Sequence, residues 1–236
     1  MGIGPGGRDH LTPAARFALE QAEVVVGYRP YLQMITDLIA GKPVVASGMR
    51  AEVARAQAAV DAAMRGARVA VVSTGDAGVY GMAGLVLELL GEDALVEVEI
   101  VPGITAASAA AACLGAPLMN DFAAISLSDL MTPLDVIERR VKAAAEGDFV
   151  IALYNPRSHK RHEPLLRTLA ILREHRLLST PVGIVRNALR DEESASITTL
   201  GSLVEDDIDM MPILIVGSSS TRVCGGRMVT PRGYHT

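Results

Sequence analysis

Tryptophan is absent from the sequence, and five tyrosines with three phenylalanines bring the aromatic share to only 3%. Proteins that hold single-stranded nucleic acid stack bases on aromatic rings, so this scarcity argues against RNA or DNA as the partner. An excess of basic residues is missing too: 22 Lys and Arg stand against 27 Asp and Glu, for a net charge of -5. That balance argues against broad attraction to nucleic acid or to an anionic membrane, while leaving room for a local basic patch toward a small anion. Cysteine is scarce. Cys113 and Cys224 are far apart and lie outside any Cys-x-x-Cys or Cys/His cluster, so neither a disulfide framework nor a metal site is expected. No apolar run reaches the roughly 18 to 20 residues of a membrane helix, and no basic-then-apolar leader pattern opens the sequence, which makes the cytoplasm the expected compartment.

What is present is apolar and small. Half of the 236 residues are hydrophobic, enough for one large core or two small ones. The stretch that organises the chain runs from Val69 to Leu90. Val69-Ala70-Val71-Val72 reads as a buried parallel strand, Ser73 to Met82 as a glycine-rich loop, and Ala83 to Leu90 as a helix. In an open α/β sheet such loops lie beyond the carboxyl ends of the strands. Glycines at 75, 78 and 81 let backbone amides approach a bound molecule. The plain alternative is a strand-to-helix turn with Asp76 as the N-cap.

Gly2, Gly4 and Gly7 match G-x-G-x-x-G literally, but no strand precedes them and Pro5 has no amide hydrogen to offer a pyrophosphate, so a nicotinamide site is rejected. Thr12 and Pro13 open a helix as N-cap and first helical residue. Strands are expected at 23–27, 43–46 and 96–101, and helices from Pro30 toward Ile39 and over 51–65. The alanine-rich segment 109–114, stopped by Gly115-Ala116-Pro117, ends a first domain, 1–117. The second, 118–236, alternates again. Strands are expected near 122–127, 149–154, 181–186, 196–200 and 213–217, and helices at 133–145 and 163–173. The fold class is α/β, with a parallel N-terminal sheet and a mixed C-terminal one.

Read in order, Gly2-Ile3-Gly4-Pro5-Gly6, Gly75-Asp76-Ala77-Gly78-Val79-Tyr80-Gly81, Val101-Pro102-Gly103-Ile104-Thr105-Ala106 and Leu153-Tyr154-Asn155 resemble the tetrapyrrole methylase family over nearly the whole chain. The strings 124–133, 154–158, 183–188 and 230–234 resemble its branch acting at C-17 of precorrin-3B in cobalamin biosynthesis. The resemblance implies two α/β domains holding S-adenosylmethionine, an anionic tetrapyrrole in an adjoining trough, and a homodimer. It assigns Pro5, Gly75, Asp76, Ala77, Tyr80, Thr105, Ala106, Asn155 and Ala188 to the cofactor. Alternatives are methylation at another corrin ring position or of a non-tetrapyrrole acceptor, and a non-catalytic cofactor- or tetrapyrrole-binding protein.

Arg157, Lys160 and Arg161 form a local cationic run that could grip substrate carboxylates, or could be a solvated loop. His159 and His162 beside them make a poor metal pair, because the same cations repel one. Where the C-17 branch would carry a histidine just before Asp121, this chain has Asn120; Tyr28 and Met49 stand where relatives carry an acid and a lysine. Candidates for removing a hydroxyl proton during ring contraction are Asp121, Asp129 and His235, each with a structural role as the plainer reading. Family members resembling this chain also carry a short apolar strand ahead of the first glycine loop. The expectation is therefore a start further upstream, or a marginally stable chain with that loop displaced.

Overall fold

The computed structural model describes residues 1–92, 95–157, 161–209 and 211–234. They fall into two compact units, Met1–Ala106 and Ala107–Thr236, so the division precedes the alanine-rich helix instead of following it at residue 117.

In the first unit three parallel strands, β1 (Val24–Tyr28), β2 (Val44–Ser47) and β3 (Val69–Val72), form a sheet of order β2-β1-β3. Val25 and Val26 in the middle strand are fully buried. Helix α1 (Pro13–Gln21) starts as its sequence dictates: Pro13 takes the first helical position, and the Ala15 N–H donates to Thr12 Oγ1 at 3.1 Å. Leu19 from α1 packs with Ile3, Val25, Leu32, Ile35 and Val72 in one apolar core. The helix expected from Pro30 to Ile39 is shorter: α2 (Arg29–Gln33) gives way to turns that run on to Gly41. Helices α3 (Glu52–Met64) and α4 (Ala83–Leu90) complete the unit.

Residues 96–101 form no strand ladder, contrary to expectation. Alternation of Val and Glu decides which face is apolar, but a strand also needs a neighbouring backbone to complete its hydrogen bonds. Beside this segment lies a cavity of about 680 Å³ lined by Met1, Phe17, Val71, Val86, Val98 and Ile100, among others. Met1 to Gly4 enter as extended chain. The Ser73 N–H donates to Met1 O, the Ile3 N–H to Ser73 O and the Gly4 N–H to Gly75 O, each at 2.9 Å. The glycine loop, whose displacement is one of the two alternatives expected, is therefore seated against β3 and its following loop, and Ile3 is buried behind it.

The second unit is a mixed sheet of order β5-β6-β9-β7-β8. It comprises β5 (Phe122–Ser126), β6 (Val150–Tyr154), β7 (Pro181–Arg186), β8 (Ser194–Thr199) and β9 (Ile213–Val216). β5 and β6 are parallel, and β9 runs antiparallel to both β6 and β7, so β5, β6 and β7 point the same way. α6 (Leu134–Glu146) and α7 (Glu163–His175) supply Ile137, Val141, Leu165, Leu169 and Leu172 to the core over it. Helix α5 (Ala106–Leu114) approaches β7 closely: a Cβ at Gly183 would stand 2.2 Å from Leu114 Cδ1, so only glycine admits that leucine. A small sheet that the sequence did not announce joins β4 (Gly115–Ala116) to the hairpin of β10 (Arg222–Cys224) and β11 (Arg227–Val229).

The Met1 ammonium donates to Val71 O at 2.7 Å, and burial lowers its pKa to about 6, against an opposing pull from Asp76. The folded state thus disfavours the protonated amine, and the unfolded chain binds the extra proton between pH 6 and 8. Stability of a chain with a free amine at Met1 therefore rises with pH across that window, by about 2 kcal/mol. Urea melts at pH 6 and pH 8 should show this rise, and N-terminal acetylation should abolish it; an unchanged midpoint difference after acetylation would assign the effect elsewhere.

Candidate active site

Three stretches of the first unit meet beyond the carboxyl end of β3. A Cβ added at Gly4 would lie 2.2 Å from Gly75 Cα and 2.4 Å from Ile104 O, and one at Gly103 would lie 2.2 Å from Gly75 O. These are backbone-to-backbone contacts that no other residue permits. Asp76 ties them: its Oδ1 accepts the Gly78 N–H at 2.7 Å and its Oδ2 accepts the Gly103 N–H at 2.9 Å. The residue is not a helix cap, because α4 begins later, with Met82 in the N-cap position. The buried Ser73 hydroxyl oxygen accepts the Met82 N–H at 3.1 Å and fixes that helix start. Ala77 is buried, Tyr80 sits at φ +53° with its residue half exposed, Pro5 is buried, and Thr105 and Ala106 are half-buried on the third stretch.

In the second unit the carboxyl ends of β5 and β6 carry a polar cluster. Asn155, at φ +51°, donates from Nδ2 to Ser126 Oγ at 3.0 Å, and the Ser128 N–H reaches the same oxygen at 3.3 Å. Tyr154 Oη accepts the Ala107 N–H at 3.0 Å, satisfying an amide in the first turn of α5. Arg161 donates to Asp129 Oδ1 at 2.7 Å and to Ser128 Oγ at 3.2 Å. Ala188 stands half-buried in the turn after β7, between Asn187 at φ +48° and Leu189 at φ +58°.

Other expected residues part company with this cluster. Asp121 is exposed at the amino end of β5, across a strand of five residues that spans about 17 Å from the end where Asp129 stands. It cannot act with Asp129 on one small group. Arg157 does not face solvent for an anion: its side chain is 15% exposed and donates to Glu205 O at 3.0 Å, Ile208 O at 3.1 Å and Asp206 Oδ1 at 3.4 Å. It staples the 205–208 turn to the end of β6. Lys160, His159 and His235 lie outside the described residues. Among the described residues no three His, Cys, Asp or Glu side chains gather as metal ligands.

The sequence reading passed over Arg55. This side chain is 4% exposed in an otherwise apolar stripe of α3 with Ala56, Ala59 and Ala62. An arginine at core spacing was the available signal.

The family model for the tetrapyrrole (corrin/porphyrin) methylases matches residues 1–204. The chain belongs to the tetrapyrrole methylase family. A probable cobalt-factor III C(17)-methyltransferase of Salmonella typhimurium is 50% identical to this methylase over 99% of this chain and 98% of its own length. A precorrin-3B C(17)-methyltransferase of Sinorhizobium sp is 42% identical over 94% of this chain and 89% of its own. The crystal structure of the methyltransferase CobJ superposes with a TM-score of 0.93 at 40% identity, covering 98% of this methylase and 97% of that chain.

Two substitutions separate clamp from contact. Asp76→Ala deprives two backbone amides of a charged acceptor and is expected to lower unfolding stability by about 2 kcal/mol. Arg157→Ala is expected to cost about as much stability while leaving the substrate KM within twofold, because its donors are already spent inside the unit. Urea denaturation and steady-state kinetics read both; a large KM change at residue 157 in a stably folded variant would restore it to the substrate side.

Proposed function

We propose that this methylase transfers a methyl group from S-adenosylmethionine to C-17 of precorrin-3B or its cobalt form, cobalt-factor III, with contraction of the ring, in cobalamin biosynthesis. The observation that carries this reading is end-to-end similarity, at 50% and 42% identity, to proteins named for that position on both forms of the substrate.

The residues of the glycine-loop region fit a ligand held chiefly through main chain. Gly78 is exposed, and a Cβ there would meet only Asp76 Oδ1 at 3.3 Å, so the space beside the loop is open to a bound molecule. We assign Pro5, Gly75, Asp76, Ala77, Tyr80, Thr105 and Ala106 of the first unit to the cofactor, with Asn155 and Ala188 of the second. Asp76 holds two of these loops in register, and the small Ala77 and Ala106 leave room beside them. Bound there, S-adenosylmethionine supplies an electrophilic methyl group on a sulfonium whose departure leaves a neutral thioether. The protein's part is then mainly positioning and exclusion of water, which requires no strong acid or base at the methyl transfer itself. Ring contraction needs a place for a hydroxyl proton. Of the carboxylates considered, Asp129, oriented by Arg161, is the one this reading retains. A homodimer, implied by the resemblance, and the cytoplasmic setting expected from the sequence belong to the same proposal.

Incubation with isotopically labelled methyl donor and each substrate form, followed by mass spectrometry, should give a singly methylated product. Tight binding without transfer would favour a non-catalytic binding protein. For the site itself, Gly78→Val is expected to leave the fold intact, since no backbone crowds that Cβ, and to weaken S-adenosylmethionine binding at least tenfold by calorimetry. Unchanged affinity in the folded variant would remove this loop from the site.

A further inference from the structure

Arg55 is a buried cation with no carboxylate within ion-pair distance among the described residues. Its Nε donates to Ser47 Oγ at 2.7 Å, one terminal nitrogen to Gly48 O at 2.9 Å, and the other lies 3.6 Å from Met82 Sδ. The guanidinium carbon stands 5.6 Å from the centre of the Tyr28 ring. All of these partners are neutral, so the full positive charge stays uncompensated in a place where charge is costly to bury. Those partners end β1 and β2 or begin α4, which puts the charge at the carboxyl edge of the parallel sheet, where α/β proteins take their ligands.

A second observation lies in the turn that Arg55 holds. Arg50 is exposed and adopts φ +63°, a left-handed conformation that an arginine reaches only when its surroundings impose it. The bonds from Arg55 to Ser47 and Gly48 fix the chain immediately ahead of Arg50, and the backbone N–H of Arg55 donates to Ala51 O just behind it. One buried arginine thus braces a strained turn that presents another. Exposed left-handed positions usually fall to glycine or asparagine; here the position carries a guanidinium.

We propose that the Ser47–Arg50 turn is a carboxylate-gripping element for the anionic tetrapyrrole, with Arg50 as the contact and Arg55 as the buried positioning residue that fixes the turn and adds its field. The inference rests on the tetrapyrrole reading for the identity of the ligand, but the Ser47–Arg50 turn is a separate stretch from the glycine loops assigned to the cofactor, which Arg55 meets only at Met82 among its hydrogen-bond partners. Arg50 can take a carboxylate with two parallel N–H donors. Arg55 contributes without touching it, because a charge in a low-dielectric wall loses little to screening.

The test uses three variants, Arg50→Gly, Arg55→Met and Arg55→Lys, with uroporphyrin I as a polycarboxylate probe followed by fluorescence and with turnover on the corrin precursor. Arg50→Gly suits the left-handed backbone and should keep or raise the melting temperature, so loss of function there is not loss of fold. It is expected to weaken uroporphyrin binding and raise the tetrapyrrole KM about tenfold in low salt, with S-adenosylmethionine affinity within twofold and a shallower salt dependence of KM. Arg55→Met should do the same, and Arg55→Lys, which keeps the charge but not the fork, should recover part of the KM. Wild-type probe affinity in Arg50→Gly at low salt would overturn the proposal, as would a loss confined to cofactor affinity. If Arg55→Met does not fold, Arg50→Gly decides alone. Probe binding that depends on Arg50 in a protein that methylates neither substrate would uphold this element and overturn the C-17 reading; turnover indifferent to Arg50 would do the reverse.

Discussion

The first unit depends on a contact that contains no side chain at all. Gly2, Gly4, Gly75 and Gly103 bring three loops to within backbone contact, with a Cβ at Gly2 falling 2.5 Å from Gly75 O and 2.8 Å from Gly103 N. Because the chains touch directly, their amides and carbonyls pair with one another, as in Gly2 N–H to Val101 O and Gly4 N–H to Gly75 O. A buried backbone group left unpaired costs about 1 to 3 kcal/mol, so a buried irregular loop must find partners for its amides and carbonyls. Here the crossing satisfies them, and the Asp76 carboxylate takes two of the remaining donors. The Met1–Gly4 segment is seated against β3 and its loop by this crossing.

Charge is handled differently in the two units. In the second, Arg176 is almost fully buried and pairs with Asp148 at 2.5 Å, while Asp148 also accepts from the backbone and hydroxyl of Ser219. Burial pushes the Arg176 pKa down, with Asp148 pulling against it, and the pair fastens α7's end to the strand entry at Phe149. That arrangement is closed. Arg157 and Arg173 are closed likewise, on the carbonyls and carboxylates of the 203–208 segment. Arg55 differs because its acceptors are a hydroxyl, a carbonyl and a thioether. Each of the other three arginines has a carboxylate among its partners. Among the described residues, the missing counter-ion is what sets Arg55 apart.

Much of the architecture was legible because local signals and tertiary demands agree. Thr12-Pro13 fixed a helix start, and the apolar runs at 150–154 and 213–216 read as strands and are strands buried on both faces. The failures have identifiable causes. Alternation at 96–101 describes a face without a partner strand. The cationic run at 157–161 was read from its charge, but charge alone does not say that Arg157 will meet two carbonyls and an aspartate in a turn nearly fifty residues away. Asp121 and Asp129 are neighbours in sequence terms, yet a strand between them puts them at opposite edges of the sheet. The β10–β11 hairpin had a signal that went unused: Gly225-Gly226, both at positive φ, is the two-residue turn that antiparallel strands favour.

The distribution of backbone strain supplies the remaining link between fold and site. Among the described residues seven non-glycine residues adopt positive φ, and five of them, Arg50, Tyr80, Asn155, Asn187 and Leu189, lie in the loops that leave the carboxyl ends of β2, β3, β6 and β7. The strands of the first sheet are all parallel, and β6 and β7 run the same way in the second, so within each unit the strained residues gather on one edge. A left-handed residue other than glycine, asparagine or aspartate costs about 1 to 2 kcal/mol, and turns that merely reverse the chain would use glycine to avoid it. Glycine is used freely elsewhere in this protein, at Gly41, Gly66 and Gly91, where nothing crowds the missing Cβ. Retaining a tyrosine, two asparagines, a leucine and an arginine in that conformation therefore keeps side chains at the strand ends that glycine could not supply.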